Sequence, residues 1–309
     1  MINVIITSYK EPKSTLQAVK SFLNQDIEEN IKKNFRIIVC DPFIEVKEFL
    51  KQNIKDKRVD FFLDPGEGKN YALNLLLEKL QNKRDSKEDI FIFSDGDVYV
   101  SNNSVGEILK AFEDSDVGCV TGRPIPINPP ENKFGYWAQL LYNGIHKTRL
   151  KLNKEKEFFQ STGYLFAIRS DIIKEIPLDV PEDAIIPYLI WKKGYRNLYA
   201  PEAKVYVKYP TNWDDWTKQR IRTIKAHENI NKLFPDMPRT KSFFNEIKEG
   251  ALFALLQPRT LGEFFWTADL FLARLYIYYK SFKEIKDKKV FDPAWRDQEI
   301  KSTNPFDEK

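Results

Sequence analysis

The first half of the chain alternates short apolar runs with segments of helical periodicity, and this alternation limits the fold more than any other feature. The apolar runs are rich in β-branched and aromatic residues and predict five strands, at residues 3–7, 35–40, 59–63, 90–94 and 117–121. Between the strands, apolar residues recur at three- and four-residue spacing, which predicts amphipathic helices. Near-continuous apolar strands separated by such helices are typical of a mostly parallel sheet covered on both faces. The sequence therefore predicts the α/β class.

Polar residues follow four of the predicted strands at the points where the strands end. The stretches are TSYKEP at 7–12, CDP at 40–42, DPGEGKN at 64–70 and SDGD at 94–97. Ligands of parallel sheets bind at the carboxyl ends of the strands, so these side chains are expected to converge on one binding rim. Each stretch taken alone also suits a simple turn, because aspartate before proline and glycine in a tight loop are common turn residues.

The last of these stretches places two carboxylates, Asp95 and Asp97, on either side of a single glycine. Two unpaired anions that lie close together raise each other's pKa, so the arrangement needs a cation or hydrogen bonds to offset the repulsion. A divalent metal ion is one candidate for that cation. The alternative is an exposed Asp-Gly-Asp turn.

Composition excludes several classes of protein. Among 309 residues, 49 Lys and Arg balance 45 Asp and Glu, and this mild charge gives no argument for a nucleic-acid partner. The two cysteines, Cys40 and Cys119, adjoin apolar runs and are predicted to be buried free thiols rather than a disulfide scaffold or a zinc cluster. No run approaches the roughly 18 apolar residues of a membrane-spanning helix, and the first residues lack the features of a signal peptide. We expect a cytoplasmic protein.

The second half of the chain begins with a proline-rich stretch at 121–130, which must be extended or looped. A helix is predicted around 134–152, followed at 158–170 by a pair of strands interrupted by Gly163. That glycine either lets backbone approach a ligand or forms a bulge or turn.

A further helix is predicted from about residue 182, capped at its end by Gly194. Glu182 and Asp183 stand at its start. These two acids are candidates for chemistry, although they also suit the helix dipole alone.

Taken together, these stretches resemble the GT-A-fold glycosyltransferases of family 2, inverting enzymes that use nucleotide-sugar donors. The resemblance covers roughly residues 1–230. It implies a GT-A, Rossmann-like and mostly parallel central sheet flanked by helices, with a catalytic domain at 1–235 and a C-terminal helical extension at 236–309.

The resemblance also implies roles for individual residues. Asp95 and Asp97 match the DXD motif and would hold Mg²⁺ or Mn²⁺ against the donor diphosphate. Asp183 would be the catalytic base that deprotonates the acceptor hydroxyl, and Glu182 would orient the acceptor or cap the helix. The implied donor-binding residues are Tyr9, Glu11, Asp41, Lys69, Asp95, Gln219 and Arg222.

Gln219 and Arg222 match part of a Q-x-x-R-W motif, but Thr223 replaces the tryptophan, and this departure weakens the resemblance to processive polysaccharide synthases. Lys218, Arg222 and Lys225 are spaced to share a helical face and would clamp the diphosphate, unless that face is simply solvated.

Aromatic and histidine side chains give two further candidates. Trp213 and Trp216 would stack on a sugar ring or pack in the core. His227 is a candidate third metal ligand, with an exposed helical histidine as the plainer interpretation.

Residues 250–283 are rich in aromatic residues and leucine and are broken by Pro258. They predict two amphipathic helices that would either lie in a membrane interface, near a lipid-linked acceptor, or pack on the catalytic domain or a second subunit. The charged tail at 283–309 is predicted to be partly mobile.

The predicted function is therefore transfer of a sugar from a nucleotide-diphosphate donor to a hydroxyl of a saccharide or lipid-linked acceptor. UDP-sugars are favoured on family frequency, and the location is cytoplasmic or peripheral on the inner face of the membrane. One alternative is a nucleotidyltransferase, which would need a glycine-rich N-terminal loop that TSYKEPKSTL lacks. Another is a non-catalytic nucleotide- or sugar-binding protein of the same fold.

Overall fold

The computed structural model describes residues 1–82, 89–239, 250–286 and 300–306. These residues form one eight-stranded sheet with the order β3-β2-β1-β4-β7-β6-β8-β5. The strands are β1 Ile2–Thr7, β2 Phe35–Asp41, β3 Val59–Leu63, β4 Ile90–Asp95, β5 Tyr99–Val100, β6 Val117–Pro126, β7 Leu165–Arg169 and β8 Arg196–Val207.

Helices cover the sheet and extend beyond it. They are α1 Pro12–Leu23, α2 Glu29–Lys33, α3 Ile44–Asn53, α4 Lys69–Gln81, α5 Ser104–Ala111, α6 Lys133–Glu155, α7 Glu182–Lys192, α8 Trp213–Leu233, α9 Leu252–Leu255 and α10 Leu261–Lys286. A short 3-10 helix spans Lys301–Thr303.

The N-terminal half of the sheet is parallel, as predicted. β1 pairs in parallel with β2 and β4, and β2 pairs in parallel with β3. The second half is mixed, because β7 runs antiparallel to both β4 and β6, and β5 runs antiparallel to β8. With the parallel pair of β6 and β8, the sheet is mostly parallel.

Two segments differ from the predictions. β6 continues to Pro126, past the predicted end at residue 121, and beyond Thr121 it pairs with β8 alone among the described residues. The other edge of β6 has no partner there among the described strands, so Pro124, which has no N–H to donate, is tolerated. Of the strand pair predicted at 158–170, only the second strand forms, as β7. The prediction is wrong for the first half of the segment, where Phe159 lies in irregular buried backbone.

Both faces of the sheet are buried, because alternate residues of each strand point to opposite sides. Val4 and Ile6 of β1 face a cluster completed by α1, α3 and α5. Ile5 faces the other cluster, which is completed by α4 and α7. This is the two-sided covering that the apolar strands predicted.

A third cluster joins the C-terminal helices to α6 and α8. Trp137 and Trp216 are fully buried in it, and the indole nitrogen of Trp137 donates to the carbonyl oxygen of Trp266 at 2.7 Å. Lys225 of α8 pairs with Glu284 of α10 at 2.5 Å. One face of α10 therefore packs on the sheet-bearing part of the chain.

Cys40 and Cys119 are buried and are not joined in a disulfide, as predicted. No helix among the described residues is long and apolar enough to cross a membrane. Most of the tail at 283–309 lies outside the described residues, so its predicted mobility stays a prediction; residues 300–306 are placed against α1 and α8.

Candidate active site

A cavity of about 2010 Å³ opens at the carboxyl ends of β1 and β4. Small-molecule sites usually measure about 300–1,000 Å³, so this cavity has room for both a donor and an acceptor. Of the ten site residues predicted from the sequence, nine line it: Tyr9, Glu11, Lys69, Asp95, Asp97, Glu182, Asp183, Gln219 and Arg222. The exception is Asp41.

Asp95 ends β4, and Asp97 follows two residues later in the cavity wall, so neither lies on an exposed turn. Asp95 Oδ1 accepts hydrogen bonds from Lys69 Nζ at 2.7 Å and from Thr7 Oγ1 at 3.2 Å. Burial, followed by the negative charge of Asp95, raises the pKa of Asp97 to about 7. A bound cation would relieve this repulsion.

Close packing requires glycine at position 96, between the two carboxylates. A Cβ at this position would lie 2.5 Å from Ser8 Cβ and 3.2 Å from Ser8 Cα. The Gly96 N–H donates to the Thr7 carbonyl oxygen at 2.8 Å. The turn therefore lies directly against the loop that follows β1, and only glycine fits there without a shift of backbone.

Asp41 stabilises the loop after β1 by accepting hydrogen bonds from it. Its Oδ2 accepts from Ser8 Oγ at 2.6 Å and from the Lys10 N–H at 3.1 Å, and its Oδ1 accepts from the Phe43 N–H at 2.8 Å. Lys10 has a φ of 59°, a left-handed conformation that is costly for a residue with a side chain. The carboxylate of Asp41 thus holds the shape of the loop that carries Tyr9 to the cavity.

Lys69 begins α4 and lies between the two acidic motifs. The preceding loop needs glycine, since Gly68 has a φ of 113°. Lys69 Nζ pairs with Asp95 Oδ1 at 2.7 Å and with Glu182 Oε1 at 2.5 Å. Burial alone would lower the pKa of Lys69, but the two carboxylates outweigh it and raise the pKa. We call Asp95, Lys69 and Glu182 the central ion cluster.

Asp183 is the second residue of α7, and its backbone is held in an unusual way. Pro187, four residues later, has no N–H, so the Asp183 carbonyl oxygen cannot make the normal helical hydrogen bond. It accepts instead from Ser161 N at 3.2 Å and Ser161 Oγ at 2.7 Å. A Cβ on Gly163 would lie 3.4 Å from Asp183 Oδ2, so Gly163 lies directly beside this carboxylate.

Arg149 of α6 was not predicted and also lines the cavity. Its Nη2 donates to the Gln160 carbonyl oxygen at 3.2 Å, and its guanidinium lies 5.8 Å from the ring centre of Tyr199. Burial lowers the pKa of Arg149, while the charges around it, Asp183 among them, oppose that shift. Sequence reasoning missed this residue because it stands among several lysines on the same helix. Ser161 was missed too. Pro187, four residues after Asp183, does indicate from sequence that the Asp183 carbonyl oxygen needs a hydrogen-bond donor outside the helix.

Of the three cations predicted to clamp the diphosphate, only Arg222 lines the cavity. Burial lowers the pKa of this arginine. Lys225 is used to pair with Glu284 of α10, and Lys218 lies outside the cavity lining. A clamp made by all three cations is therefore wrong, and Arg222 is the member that reaches the site.

The aromatic and histidine candidates separate clearly. Trp216 is a core residue with no exposed surface, and Trp213 is 40% exposed and stacks on it at 5.5 Å. Neither lines the cavity. His227 is 9% exposed and lines the cavity, so the expectation of an exposed histidine is wrong.

The donor atoms fit a hard divalent cation only in part. Within the described ranges, no group of three or more His, Cys, Asp or Glu side chains is arranged to hold a metal ion. Asp95 and Asp97 supply oxygen ligands of the kind that Mg²⁺ and Mn²⁺ prefer, and the raised pKa of Asp97 reports a negative charge that the protein leaves under-compensated. The remaining ligands would have to come from substrate and water.

Two solved structures share this fold. Mannosyltransferase PcManGT from Pyrobaculum calidifontis, in complex with GDP-Man and Mn²⁺, aligns with a TM-score of 0.55 and 16% identity over 92% of this chain and 80% of that one. GalNAc-T7, solved with UDP, GalNAc and Mn²⁺, aligns with a TM-score of 0.50 and 19% identity over 83% of this chain and 57% of that one. At these identities the likeness shows a common GT-A fold.

Sequence relatives point to the same group. An uncharacterized glycosyltransferase of Rickettsia bellii (strain RML369-C) is 31% identical over 117 residues, which are 37% of this chain and 15% of that protein. Residues 3–176, more than half of the chain, match the family described as glycosyl transferase family 2. The chain therefore belongs to glycosyl transferase family 2.

Proposed function

We propose that this protein is a metal-dependent, inverting glycosyltransferase that moves a sugar from a nucleoside-diphosphate donor to an acceptor hydroxyl. The observation that carries the proposal is the central ion cluster, in which Lys69 joins the strand-end carboxylate Asp95 to Glu182 at the start of α7 within one cavity. The solved structures of the same fold are described with GDP-Man or UDP and with Mn²⁺. UDP-sugars remain the favoured donors on family frequency.

On the donor side, Asp97 and Asp95 would hold Mg²⁺ or Mn²⁺, which neutralises the charge that develops on the leaving diphosphate. Lys69 and Arg222 bring further positive charge to the same wall. Lys69 is also the first residue of α4, and the N-termini of helices bind phosphate groups favourably. Tyr9 and Glu11 would contact the nucleoside, on the loop that Asp41 supports.

On the acceptor side, Asp183 would act as the base. It takes the proton of the acceptor hydroxyl while the hydroxyl oxygen forms a bond to the anomeric carbon and the bond from that carbon to the diphosphate oxygen breaks. Glu182, held by Lys69, would orient the acceptor. Ser161 supports this assignment, because it fixes the backbone of Asp183.

The acceptor would be a saccharide or a lipid-linked molecule at a membrane surface. The outer face of α9 and α10 carries apolar side chains that are each 65–80% exposed: Leu252, Leu256, Leu261, Phe265, Leu272 and Tyr279. Exposed Lys147 and Lys151 of the neighbouring helix α6 provide positive charge for anionic headgroups. Phe253 and Phe282 of the same two C-terminal helices line the cavity, which connects this outer apolar face to the site.

Calorimetry tests the donor site. UDP, GDP and their common sugars are titrated with and without Mn²⁺ into wild type, Asp97→Ala and the control Asp171→Ala, which removes an exposed carboxylate outside the cavity. We expect metal-dependent binding of one nucleotide that Asp97→Ala loses and Asp171→Ala keeps. Absence of binding to every nucleotide would refute the proposal.

The base is tested by Asp183→Asn, which keeps the size of the side chain. Donor binding should stay near the wild-type value while transfer falls by about 10²–10⁴-fold, the usual contribution of general base catalysis. Unchanged turnover would show that another group takes the proton.

Vesicle co-sedimentation tests the membrane assignment. Wild type should bind vesicles that contain phosphatidylglycerol, bind pure phosphatidylcholine less, and be released by salt. The double variant Leu256→Ser/Phe265→Ser should lose binding, whereas Ile44→Ser, which changes an exposed apolar residue on α3, should not. A salt-insensitive dimer that the double variant dissociates, with no vesicle binding, would instead assign the face to a second copy.

A further inference from the structure

Residues 300–306, here called the C-terminal strap, fold back over the cavity. Ile300, Thr303, Asn304 and Phe306 are part of its lining. The strap includes the 3-10 helix, and its Asn304 is only 8% exposed. The strap is therefore part of the wall of the site.

Asn304 makes the central contacts of the strap. Its Oδ1 accepts hydrogen bonds from Ser14 Oγ at 2.5 Å and from the Phe306 N–H at 2.9 Å. Its carbonyl oxygen accepts from Lys208 Nζ at 2.8 Å. Ser14 lies in the first turn of α1, directly after the loop that carries Tyr9 to the cavity.

The strap also contacts the start of α8. The Ser302 N–H donates to Asp215 Oδ2 at 3.0 Å, and the Thr211 N–H donates to Ser302 Oγ at 3.2 Å. Burial alone would raise the pKa of Asp215, but the hydrogen bonds from Ser302 and Asn212, together with the charge of Lys218, outweigh it and keep the pKa below its usual value. The helix that Asp215 anchors carries Arg222 into the cavity two turns later.

A third contact reaches the start of β5, directly after the turn that carries Asp95 and Asp97, here called the carboxylate turn. The ring of Phe306 lies 6.2 Å from the ring of Tyr99, which is two residues after Asp97. Three residues of the strap, Ser302, Asn304 and Phe306, thus contact the start of α8, the start of α1 and the start of β5, each next to a segment that carries proposed donor-site residues. The relative placement of these three segments decides whether the nucleotide contacts can form together.

We infer that Asn304 is a positioning residue for the donor site, and that docking of the strap and binding of the nucleotide stabilise each other. The inference rests on the proposed function, since it concerns the same nucleotide. Thermodynamic linkage requires the coupling to act in both directions. Loosening the strap weakens nucleotide binding, and nucleotide binding protects the strap from opening.

Two variants separate this role from simple structural damage. Asn304→Leu removes the acceptor oxygen for Ser14 and Phe306, whereas Asn304→Asp keeps an acceptor in the same place. We expect Asn304→Leu to raise the Kd for the nucleotide with Mn²⁺ and the KM for the donor by about tenfold, near the effect of one lost hydrogen bond, with kcat nearly unchanged. Asn304→Asp should stay within about threefold of wild type.

Hydrogen exchange of wild type measures the coupling directly. The amides of residues 301–304 and 306 should exchange more slowly when UDP or GDP with Mn²⁺ is bound. Thermal melting of each variant shows whether the fold is intact. If wild type binds nucleotide while exchange in the strap is unchanged and Asn304→Leu binds normally, the inference is wrong and the proposed function stands. If wild type binds no nucleotide, both are wrong.

Discussion

Substitution of Gly96 by alanine should disturb the carboxylate turn more than any other single methyl group. The new Cβ would meet Ser8 Cβ at 2.5 Å, Thr15 Oγ1 at 3.0 Å and Ser8 Cα at 3.2 Å. Ser8 cannot move away easily, because its hydroxyl is bound to Asp41 at 2.6 Å. Overpacking of this kind costs about 1–3 kcal/mol. At about 2 kcal/mol the melting temperature would fall by roughly 3 °C, given an unfolding entropy of about 2.1 cal/mol/K per residue.

The assay combines thermal melting with calorimetric titration of nucleotide and Mn²⁺. Gly118→Ala is the matched control, since its Cβ would lie 2.6 Å from Ile190 Cγ2 and 2.7 Å from Tyr195 Cβ, away from the cavity. Both variants should melt earlier, but only Gly96→Ala should also weaken metal-dependent nucleotide binding. Gly106→Ala, whose nearest neighbour would be 3.8 Å away inside α5, should stabilise by about 0.5–1 kcal/mol.

One result would refute the reasoning. If Gly96→Ala melts with wild type and binds nucleotide with wild-type affinity, the turn does not lie against the β1 loop as described. Weakened binding in Gly118→Ala to the same degree would also count against a local effect, because that clash is remote from the carboxylates.

Three other perturbations have defined outcomes. Lys69→Met leaves two carboxylates without their shared cation and should lower the free energy of unfolding of the metal-free protein by about 3–5 kcal/mol in urea titrations; an unchanged midpoint would contradict the ion cluster. Ser161→Ala should reduce kcat while donor Kd stays constant, and adding Pro187→Ala, which restores a helical N–H for the Asp183 carbonyl, should recover part of the loss; no recovery would argue against this support. Burial, and then a nearby arginine, lowers the pKa of His146, so the unfolded chain binds its proton more readily and stability should rise with pH up to about 6.5; His146→Gln should flatten this rise in melts at pH 5–7.

The parallel half of the sheet was predictable because its information is local. Val4, Ile5 and Ile6 are apolar on both faces, and a strand buried on both sides needs such a run. The polar residues after the strands followed from the same logic, since parallel strands bring their carboxyl ends to one edge. Leu73 and Leu76 at helical spacing likewise mark the buried face of α4.

What the sequence did not reveal depends on partners that lie far along the chain. Phe159 stands in a stretch with the composition of a strand, but its carbonyl oxygen is bound by the side chain of Asn197 instead of a neighbouring strand. Asp41 has the position of a ligand-binding acid, yet three hydrogen bonds from the nearby loops occupy its carboxylate. Asn304 contacts Ser14 across nearly the whole chain, and no local pattern signals that contact.

The order of the strands also determines at which stage of synthesis the carboxylate turn can take its final shape. β4 is fourth in the sheet and β5 is last, yet only residues 96–98 connect them. In a flat sheet, four inter-strand steps of about 4.8 Å would separate these strands by roughly 19 Å, whereas four extended residues reach at most about 14 Å. The sheet must curl, and β5 meets α1, where the Val100 N–H donates to Ser21 Oγ at 3.1 Å.

The far end of the turn is fixed by β8, because Tyr99 pairs with Tyr206. During synthesis the N-terminal strands can pair early, but the segment that holds Asp97 has no sheet partner at its far end until β8 has left the ribosome. A chain stalled before that point would hold both aspartates, but the far end of their turn would have no strand to pair with.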